Sequence, residues 1–369
     1  MYVAASAGQR PEYGYNHHTQ HYFIWHAGKG EAGMQRALIG LGFVALTVAT
    51  AFFAFSPRNT PPLKPSRVPF DRMQILTIAR AGDAIVAGGE LGYLLRSTDD
   101  GKTWRTAQVE PRRFAPVTAI RFIDASHGMA VGHEGQILRT TDGGQSWKEL
   151  HFDARDGTPL MDIRRLPSGA WLAVGGFARA LRSTDDGQTW APVEIPGTQE
   201  EEQHLNRLVP GADPEHWLLV GERGLVMRSS DGGQTFEPVA PFYTGSFYGG
   251  VALDAQTWVI YGMRGHVYRS TDGGATWTQS TLQAPVSSFG HALLPDGRLL
   301  IVGQGGVVQA SSDGGASFQI VRAGGLEAFT DLLPLADGRW LIASDKGIRI
   351  HDPSAPPGAA SAAKQGARP

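Results

Sequence analysis

Hydrophobic positions over most of the chain come in short runs of alternating or β-branched residues, each closed by glycine or aspartate. One stretch reads "VTAIRFID", "HGMAVGHEG", "QILRTTDGG" and "QSWKELHF" over residues 117–152. Alternation with a period of two predicts β-strands, and the closing residues are typical of tight turns. The pattern therefore predicts four short strands in this stretch.

A nine-residue motif repeats along the chain and sets the period of this pattern. Its variants include "RSTDDGKTW", "RTTDGGQSW" and "RSTDGGATW", and its Ser or Thr falls at positions 97, 140, 183, 229, 270 and 311. Steps of 43, 43, 46, 41 and 41 residues are typical of propeller blades or solenoid repeats. Four strands within each period favour the propeller.

A seventh unit without the motif follows, "EAFTDLLPLADGRWLIASDKGIRIHD" at 327–352, and it supplies only three strands. We expect residues 63–71 to provide the fourth and so close the ring, which removes the open sheet edge. The prediction is an all-β, seven-bladed β-propeller over residues 64–352.

The N-terminal part of the chain has a different character. Residues 37–55 are 19 residues without a charge, long enough as a helix to cross a bilayer core of about 30 Å. They read either as an uncleaved anchor or as a signal peptide that starts at Met34 and is cleaved after Ala51. Both place the propeller in the bacterial cell envelope, anchored to the inner membrane or periplasmic. The predicted division is a tail 1–36, the apolar segment 37–55, a linker 56–63, the propeller 64–352 and a disordered tail 353–369.

Composition narrows the chemistry. The chain has no cysteine, which excludes disulfides, thiol catalysis and cysteine-ligated zinc. Its formal net charge of −2 gives no electrostatic reason to expect nucleic acid. Each repeated motif carries one or two acids, too few for an EF-hand calcium loop, so neither a metal nor a cofactor is predicted.

The repeated motif, S/T-x-D-x-G-x-[ST]-[WF], is an Asp-box. We expect each Asp to accept bonds from turn N–H groups, Gly274 to take a positive φ, and Trp277 to wedge against the neighbouring blade. Six copies spaced around a ring cannot converge on one substrate, so a structural role is expected. The box aspartates are Asp99, Asp142, Asp185, Asp231, Asp272 and Asp313.

An arginine precedes five of the boxes and forms a column interrupted at Ala310 and His351. Two interpretations are open: each Arg joins its blade to a neighbour, or the guanidiniums form an arc that grips carboxylates, phosphates or an acidic loop. The column consists of Arg96, Arg139, Arg182, Arg228 and Arg269.

Other candidate partner-binding residues lie between the second and third strands and in "PFYTGSFYGG" (241–250). Loops at one rim are where specificity is expected, and aromatic residues with glycine are typical of binding surfaces, although ordinary packing explains them equally well. These candidates are Arg223, Arg264, Phe242, Tyr243, Phe247 and Tyr248.

Three lead-in segments carry a family resemblance: "VGHEGQILRTTDGGQSW" (131–147), "VGERGLVMRSSDGGQTF" (220–236) and "YGMRGHVYRSTDGGATW" (261–277). Over residues 64–352 the chain resembles the photosystem II assembly and stability factors, which are seven-bladed propellers. The resemblance implies a non-enzymatic scaffold that binds an integral membrane protein or complex, with the arginine patch of the family falling on the column above. Some bacterial relatives are encoded beside RND-type exporters.

The Asp-box is shared with sialidases, so a glycoside hydrolase or a glycan-binding secreted protein is the alternative. A sialidase needs an arginine triad, a Tyr–Glu nucleophile pair and an acid/base Asp. Its "RIP"-type motif is absent; the nearest text is "RRLP" at 164–167. The sequence therefore favours a protein without catalytic activity.

Overall fold

The N-terminal helix is apolar over most of its length. The computed structural model describes residues 29–56, 70–198 and 202–354. Helix α1 (Lys29–Phe55) contains an apolar span, Gly33–Phe55, of mean hydropathy 2.2. Its large side chains are exposed, such as Phe52 at 78%. The span includes the predicted segment 37–55 and is compatible with either a membrane anchor or a signal sequence.

Seven sheets, antiparallel except for one added strand each in blades 2 and 6, form a closed ring, so the prediction of a seven-bladed propeller is confirmed. The innermost strands contact one another in the order β1, β6, β10, β14, β18, β23, β27 and back to β1. The strands of blades 1–4 are β1 (Ile75–Ala81), β2 (Ala84–Gly89), β3 (Leu94–Ser97), β4 (Arg105–Thr106); β5 (Gln108–Glu110), β6 (Val117–Phe122), β7 (Gly128–Gly132), β8 (Ile137–Thr140), β9 (Ser146–His151); β10 (Leu160–Arg165), β11 (Trp171–Gly175), β12 (Ala180–Ser183), β13 (Ala191–Pro192); β14 (Leu205–Pro210), β15 (Trp217–Gly221), β16 (Val226–Ser229) and β17 (Glu237–Pro238).

Blades 5–7 repeat the arrangement, with one strand fewer in the last. Their strands are β18 (Phe247–Ala252), β19 (Trp258–Gly262), β20 (Val267–Ser270), β21 (Thr278–Gln279); β22 (Thr281–Leu282), β23 (Ser288–Leu293), β24 (Leu299–Gly303), β25 (Val308–Ser311), β26 (Ser317–Arg322); β27 (Phe329–Pro334), β28 (Trp340–Ser344) and β29 (Gly347–His351). Blades 2 and 6 gain a fifth strand because β5 and β22 continue from the preceding blade and pair in parallel with β9 and β26.

The core lies between blades rather than within them. The buried apolar residues fall into seven clusters, and each cluster joins two adjacent blades, including blade 7 with blade 1. The second strand of each blade is buried along its length, and four of these strands begin with the tryptophans Trp171, Trp217, Trp258 and Trp340. Since both faces of a blade are covered by neighbours, its second strand is apolar at nearly every position.

Four bonds in the described residues close the ring, one of them from Arg80 Nη2 to Pro334 O at 3.2 Å. Thr330 Oγ1 donates to Ile75 O at 2.5 Å, and the N–H of Ile78 donates to Asp331 Oδ2 at 3.0 Å. The predicted fourth strand of blade 7, residues 63–71, lies mostly outside the described residues. Within its last residues, Phe70 O accepts a bond from the N–H of Ile348 in β29 at 3.2 Å.

The ring has two distinct faces. The turns between second and third strands lie beside the start of the innermost strands, because the first N–H of each turn bonds the carbonyl that precedes the inner strand, as from Glu90 to Gln74. We call this the mouth face. The Asp-boxes lie on the opposite, box face, where the N–H of Gly143 bonds Ser126 O in the turn between the first and second strands.

Candidate functional site

Each Asp-box is a closed hydrogen-bonded turn. Asp272 accepts bonds from Ser270 Oγ at 2.7 Å, the N–H of Thr276 at 2.9 Å and Thr276 Oγ1 at 2.6 Å. The Thr276 and Ser270 donors lower the pKa of Asp272 from 3.8 to about 2. The same three bonds recur at Asp99, Asp142, Asp185, Asp231 and Asp313.

The second glycine of the box is required by a neighbouring blade. Gly315 has φ +86°, and a Cβ there would lie 2.3 Å from Val259 Cγ2 in blade 5. A Cβ on Gly144 would likewise lie 2.6 Å from Val86 Cγ2 in blade 1. The box therefore fits against the preceding blade only where no side chain intervenes.

The arginine column reaches toward the box of the next blade. Arg96 Nε donates to Gly143 O at 2.9 Å, and Arg269 Nε to Gly314 O at 2.8 Å. Arg182 Nη2 bonds Gln234 O at 2.9 Å, Arg139 pairs with the Asp186 carboxylate at 2.8 Å, and the stem of Arg228 packs beside Gly274. All five side chains are half-buried.

The interruption of the column follows from these contacts. Ala310 in blade 6 faces blade 7, which has no box for an arginine to bond. In blade 7 the sequence alignment was wrong by one residue. Strand pairing places Ile350, opposite Leu341, in the column, whereas His351 lies opposite Trp340 at the position of the box Ser or Thr.

Arg223 and Arg264 lie on the mouth face, away from the arginine column. Each is the central residue of a one-turn 3-10 segment, Glu222–Gly224 and Met263–Gly265, with φ of 52° and 55°. Both are exposed. Non-glycine residues rarely adopt this left-handed conformation, and where they do so in native folds the position is often functional.

The aromatic stretch of blade 5 divides into packing residues and one mouth residue. Phe242 stacks on Trp277 with centroids 5.7 Å apart, and Tyr243 stacks on His266 at 4.3 Å. Phe247 is fully buried, so its predicted place on a binding surface is wrong: it belongs to the core between blades 4 and 5. Tyr248 instead faces the ring axis.

The axis opens on the mouth face in a cavity of about 370 Å³. Every innermost strand has a β-bulge at its second residue, and the bulged residue of each blade lines this cavity. We call these seven residues the mouth ring: Leu76, Thr118, Met161, Asn206, Tyr248, Phe289 and Thr330.

A buried charged cluster, which the sequence analysis missed, lies next to the mouth ring. The Asp162 carboxylate is fully buried, with Arg121 Nη2 2.7 Å from Oδ1, Arg207 Nη1 3.8 Å from Oδ1 and Arg164 Nε 3.7 Å from Oδ2. The N–H of Leu208 also bonds Oδ2, at 3.1 Å. Burial alone would raise the pKa of Asp162, but the guanidiniums, led by Arg121, lower it.

A tyrosine and a histidine at the axis form a second buried polar pair. Tyr261 Oη donates to His291 Nδ1 across 2.7 Å. Burial and the nearby guanidiniums, led by Arg207, lower the pKa of His291 to about 3, so its ring is neutral at pH 7. One feature of the sequence could have indicated this cluster. Innermost strands such as "MDIRR" contain charged residues, whereas the second strands beside them are apolar.

The family of photosynthesis system II assembly factor YCF48 matches residues 113–199. No curated protein sequence matches the chain. Among solved structures, YCF48 bound to D1 peptide is 20% identical with a TM-score of 0.61, covering 79% of this chain and 97% of that one.

Two other solved propellers, a second YCF48 and a lyase, have the same fold. YCF48 from Cyanidioschyzon merolae is 14% identical with a TM-score of 0.60, over 77% of this chain and 96% of that one. A streptogramin B lyase is 12% identical with a TM-score of 0.63, over 77% and 95%. The fold alone thus hosts enzymes and non-enzymes. The chain is thus a seven-bladed β-propeller that is similar to the YCF48 family in sequence over residues 113–199 and to YCF48 propellers in fold.

Proposed function

We propose that the protein is a non-catalytic scaffold, exported to the bacterial cell envelope, that binds an integral membrane protein or complex and assists its assembly or action. The observation that carries this proposal is the similarity of residues 113–199 to the YCF48 family, together with a similar YCF48 propeller that is bound to a D1 peptide. An RND-type exporter, expected from the family resemblance, is the first client to test.

The state of the carboxylates supports a non-catalytic role. Each box Asp is occupied by three hydrogen bonds within its own turn, and the pKa of Asp272 near 2 is far from that of a general acid or base at neutral pH. The buried Asp162 is surrounded by guanidiniums, which keep it ionised rather than poised to transfer a proton.

The mouth face is the docking surface we favour. Arg223 and Arg264 are exposed in the turns of blades 4 and 5, and the equivalent turns of blades 1 and 3 present apolar side chains on the same face, with Leu91 52% and Phe177 57% exposed. Apolar residues bordered by arginine are typical of the residues that contribute most at protein interfaces. On the box face, a client would have to compete with the carbonyls that already accept from arginines such as Arg269.

The apolar helix supports a location at a membrane. A span of 23 residues with exposed apolar side chains needs a lipid environment or removal by a signal peptidase. In either case the propeller follows the helix in the chain and would be carried to the exported side.

Site-specific photocrosslinking in intact cells tests the proposal. A photoreactive residue replaces Arg264 on the mouth face or, as a matched control, Arg298 in a box-face turn of blade 6. After irradiation, the C-terminally tagged protein is extracted in detergent and its adducts are identified by mass spectrometry. We expect one integral membrane protein, in stoichiometric amount, from position 264 only.

Other results would revise the proposal in defined ways. Adducts from position 298 alone would move the docking surface to the box face and restore the partner-binding interpretation of the arginine column. Absence of a membrane protein from both positions, or turnover of a fluorogenic sialoside by the purified protein, would contradict the scaffold function.

A further inference from the structure

The residues that line the mouth cavity have no role in the proposed scaffold function. Its volume, about 370 Å³, falls within the range of small-molecule sites, and its wall comes from all seven blades. Such a wall is rigid, because each residue is fixed by a strand of the ring rather than by a loop.

The polar members of the mouth ring are engaged in holding the blades together. Thr118 Oγ1 donates to Leu160 O at 2.5 Å, and Asn206 Nδ2 donates to Phe247 O at 2.8 Å. Thr330 makes the equivalent bond to blade 1. The donors of these side chains are therefore directed to the next blade, and a ligand meets mainly apolar surface.

The apolar members supply that surface. Tyr248 and Phe289 lie side by side, with ring centroids 5.4 Å apart. Leu76 and Met161, from blades 1 and 3, complete the apolar part of the wall. Flat aromatic and flexible thioether side chains together accommodate an aromatic or branched aliphatic group.

One cation reaches into the same cavity. Arg207 lines it, and within the described part of the chain its guanidinium forms no hydrogen bond, its nearest carboxylate oxygen being Asp162 Oδ1 at 3.8 Å. Asp162 is already paired with Arg121 at 2.7 Å. Of the three arginines of the buried cluster, Arg207 is the one that lines the cavity, so its donors can meet a ligand there.

Among the described residues, Arg207 has no carboxylate within hydrogen-bond distance. Arg121, Arg164 and Arg207 bring three positive charges, and the described residues of the axis and mouth offer the carboxylates of Asp162, Asp331 and Asp345, of which Asp345 lines the cavity and accepts a bond from the N–H of Ala328 at 3.0 Å. Burial raises the pKa of Asp331, which weakens its contribution. A buried guanidinium without a hydrogen-bonded acceptor is costly, and an anion bound to Arg207 would relieve that cost.

We propose that the mouth cavity binds an organic carboxylate with an apolar body. The carboxylate accepts hydrogen bonds from the Arg207 guanidinium, and the apolar body lies against Tyr248, Phe289, Met161 and Leu76. A free aromatic or branched acid and the C-terminal residue of a peptide share this chemistry. The inference does not depend on the identity of the membrane client, because it concerns the propeller on its own.

Calorimetric titration of the full chain in a neutral maltoside detergent tests the site. The probes are phenylacetate and, as a neutral control of the same shape, phenylacetamide. We expect phenylacetate to bind with a Kd of about 1 mM, as befits about ten non-hydrogen atoms, and the amide about tenfold more weakly or not at all. Acetate, which lacks the apolar body, should also bind at least about tenfold more weakly.

Two variants locate the site. Arg207→Gln should weaken phenylacetate binding about tenfold or more, while Arg165→Gln, an exposed arginine of blade 3, should leave it unchanged. Arg207→Gln leaves the Arg121–Asp162 pair in place. Should it nevertheless misfold, Met161→Glu places a negative charge at the mouth without touching the buried cluster, and Met161→Gln is its control.

The outcomes separate clearly. Any one of four results overturns the proposal. The first two are that the acid binds no more tightly than the amide, or that phenylacetate binds no more tightly than acetate. The others are that no binding is detected, or that phenylacetate binding survives both Arg207→Gln and Met161→Glu. A short peptide with a free C-terminal phenylalanine that competes with phenylacetate, while its amidated form does not, would show that a chain terminus supplies the carboxylate. Competition by neither peptide would assign the site to free acids.

Discussion

The arginine column gives the sharpest test of how the blades are joined. Arg269→Met removes the 2.8 Å bond from Nε to Gly314 O of the next blade but keeps most of the apolar stem. A hydrogen bond from a charged donor contributes about 1.5–3 kcal/mol when buried, and this one is half-buried. We therefore expect the free energy of unfolding to fall by about 1–1.5 kcal/mol, which is about 2 °C in Tm for a domain of this size.

The assay is urea unfolding of the full chain in detergent, followed by tryptophan fluorescence. Arg298→Met is the matched control. This arginine lies on the same face, 45% exposed, and pairs with Asp296 in its own turn, so its loss should stay within about 0.5 kcal/mol. If Arg269→Met were as stable as Arg298→Met yet lost the membrane client, the column would be a binding surface rather than a set of joints.

Four further predictions concern the boxes, the ring and the helix. Gly315→Ala should destabilise by about 2–4 kcal/mol, since it adds contact with Val259 to the strain of φ +86°, whereas Gly297→Ala, with φ +84° and open space, should cost only about 1 kcal/mol in the same thermal melts. The pKa of Asp272 is about 2 in the folded protein against an ordinary 3.8, so the stabilisation from its carboxylate is present above about pH 4 and is lost as the pH falls to 2. In Asp272→Asn, the free energy of unfolding should therefore depend less on pH over this acid range. Thr330→Val should lower stability by about 1 kcal/mol in urea unfolding, because it removes one bond that closes the ring. An uncleaved apolar helix should keep the protein in alkali-washed membranes, and its deletion should release it; a mature N-terminus at position 52 would identify a cleaved signal instead.

The repeat explains why so much of the ring was predictable. Each blade must present the same surface to its neighbours, so the box Asp, the box glycine and the strand-opening Trp recur at a period of about 41–46 residues. The alternating runs then gave strand number and order. Prediction was poorest where the repeat ends, in blade 7, because no box fixes the alignment and His351 was placed one residue out of register.

The sequence showed which positions recur from blade to blade, but not what the residues at those positions do. Phe247 and Tyr248 are adjacent aromatic residues in one predicted strand, yet one is fully buried between blades and the other lies at the mouth. A β-bulge at the second residue of the strand turns Tyr248 toward the axis. Composition alone cannot distinguish these two orientations.

The sequence by itself determined the seven-bladed ring, the position of the boxes and the apolar N-terminal helix, because these depend on local patterns that each blade repeats. Tertiary structure alone decided what meets at the axis. Arg121, Asp162 and Arg207 come from blades 2, 3 and 4 and share no motif. Only closure of the ring brings single residues of different blades within a few ångströms, so a site built at the axis leaves no periodic signal in the chain.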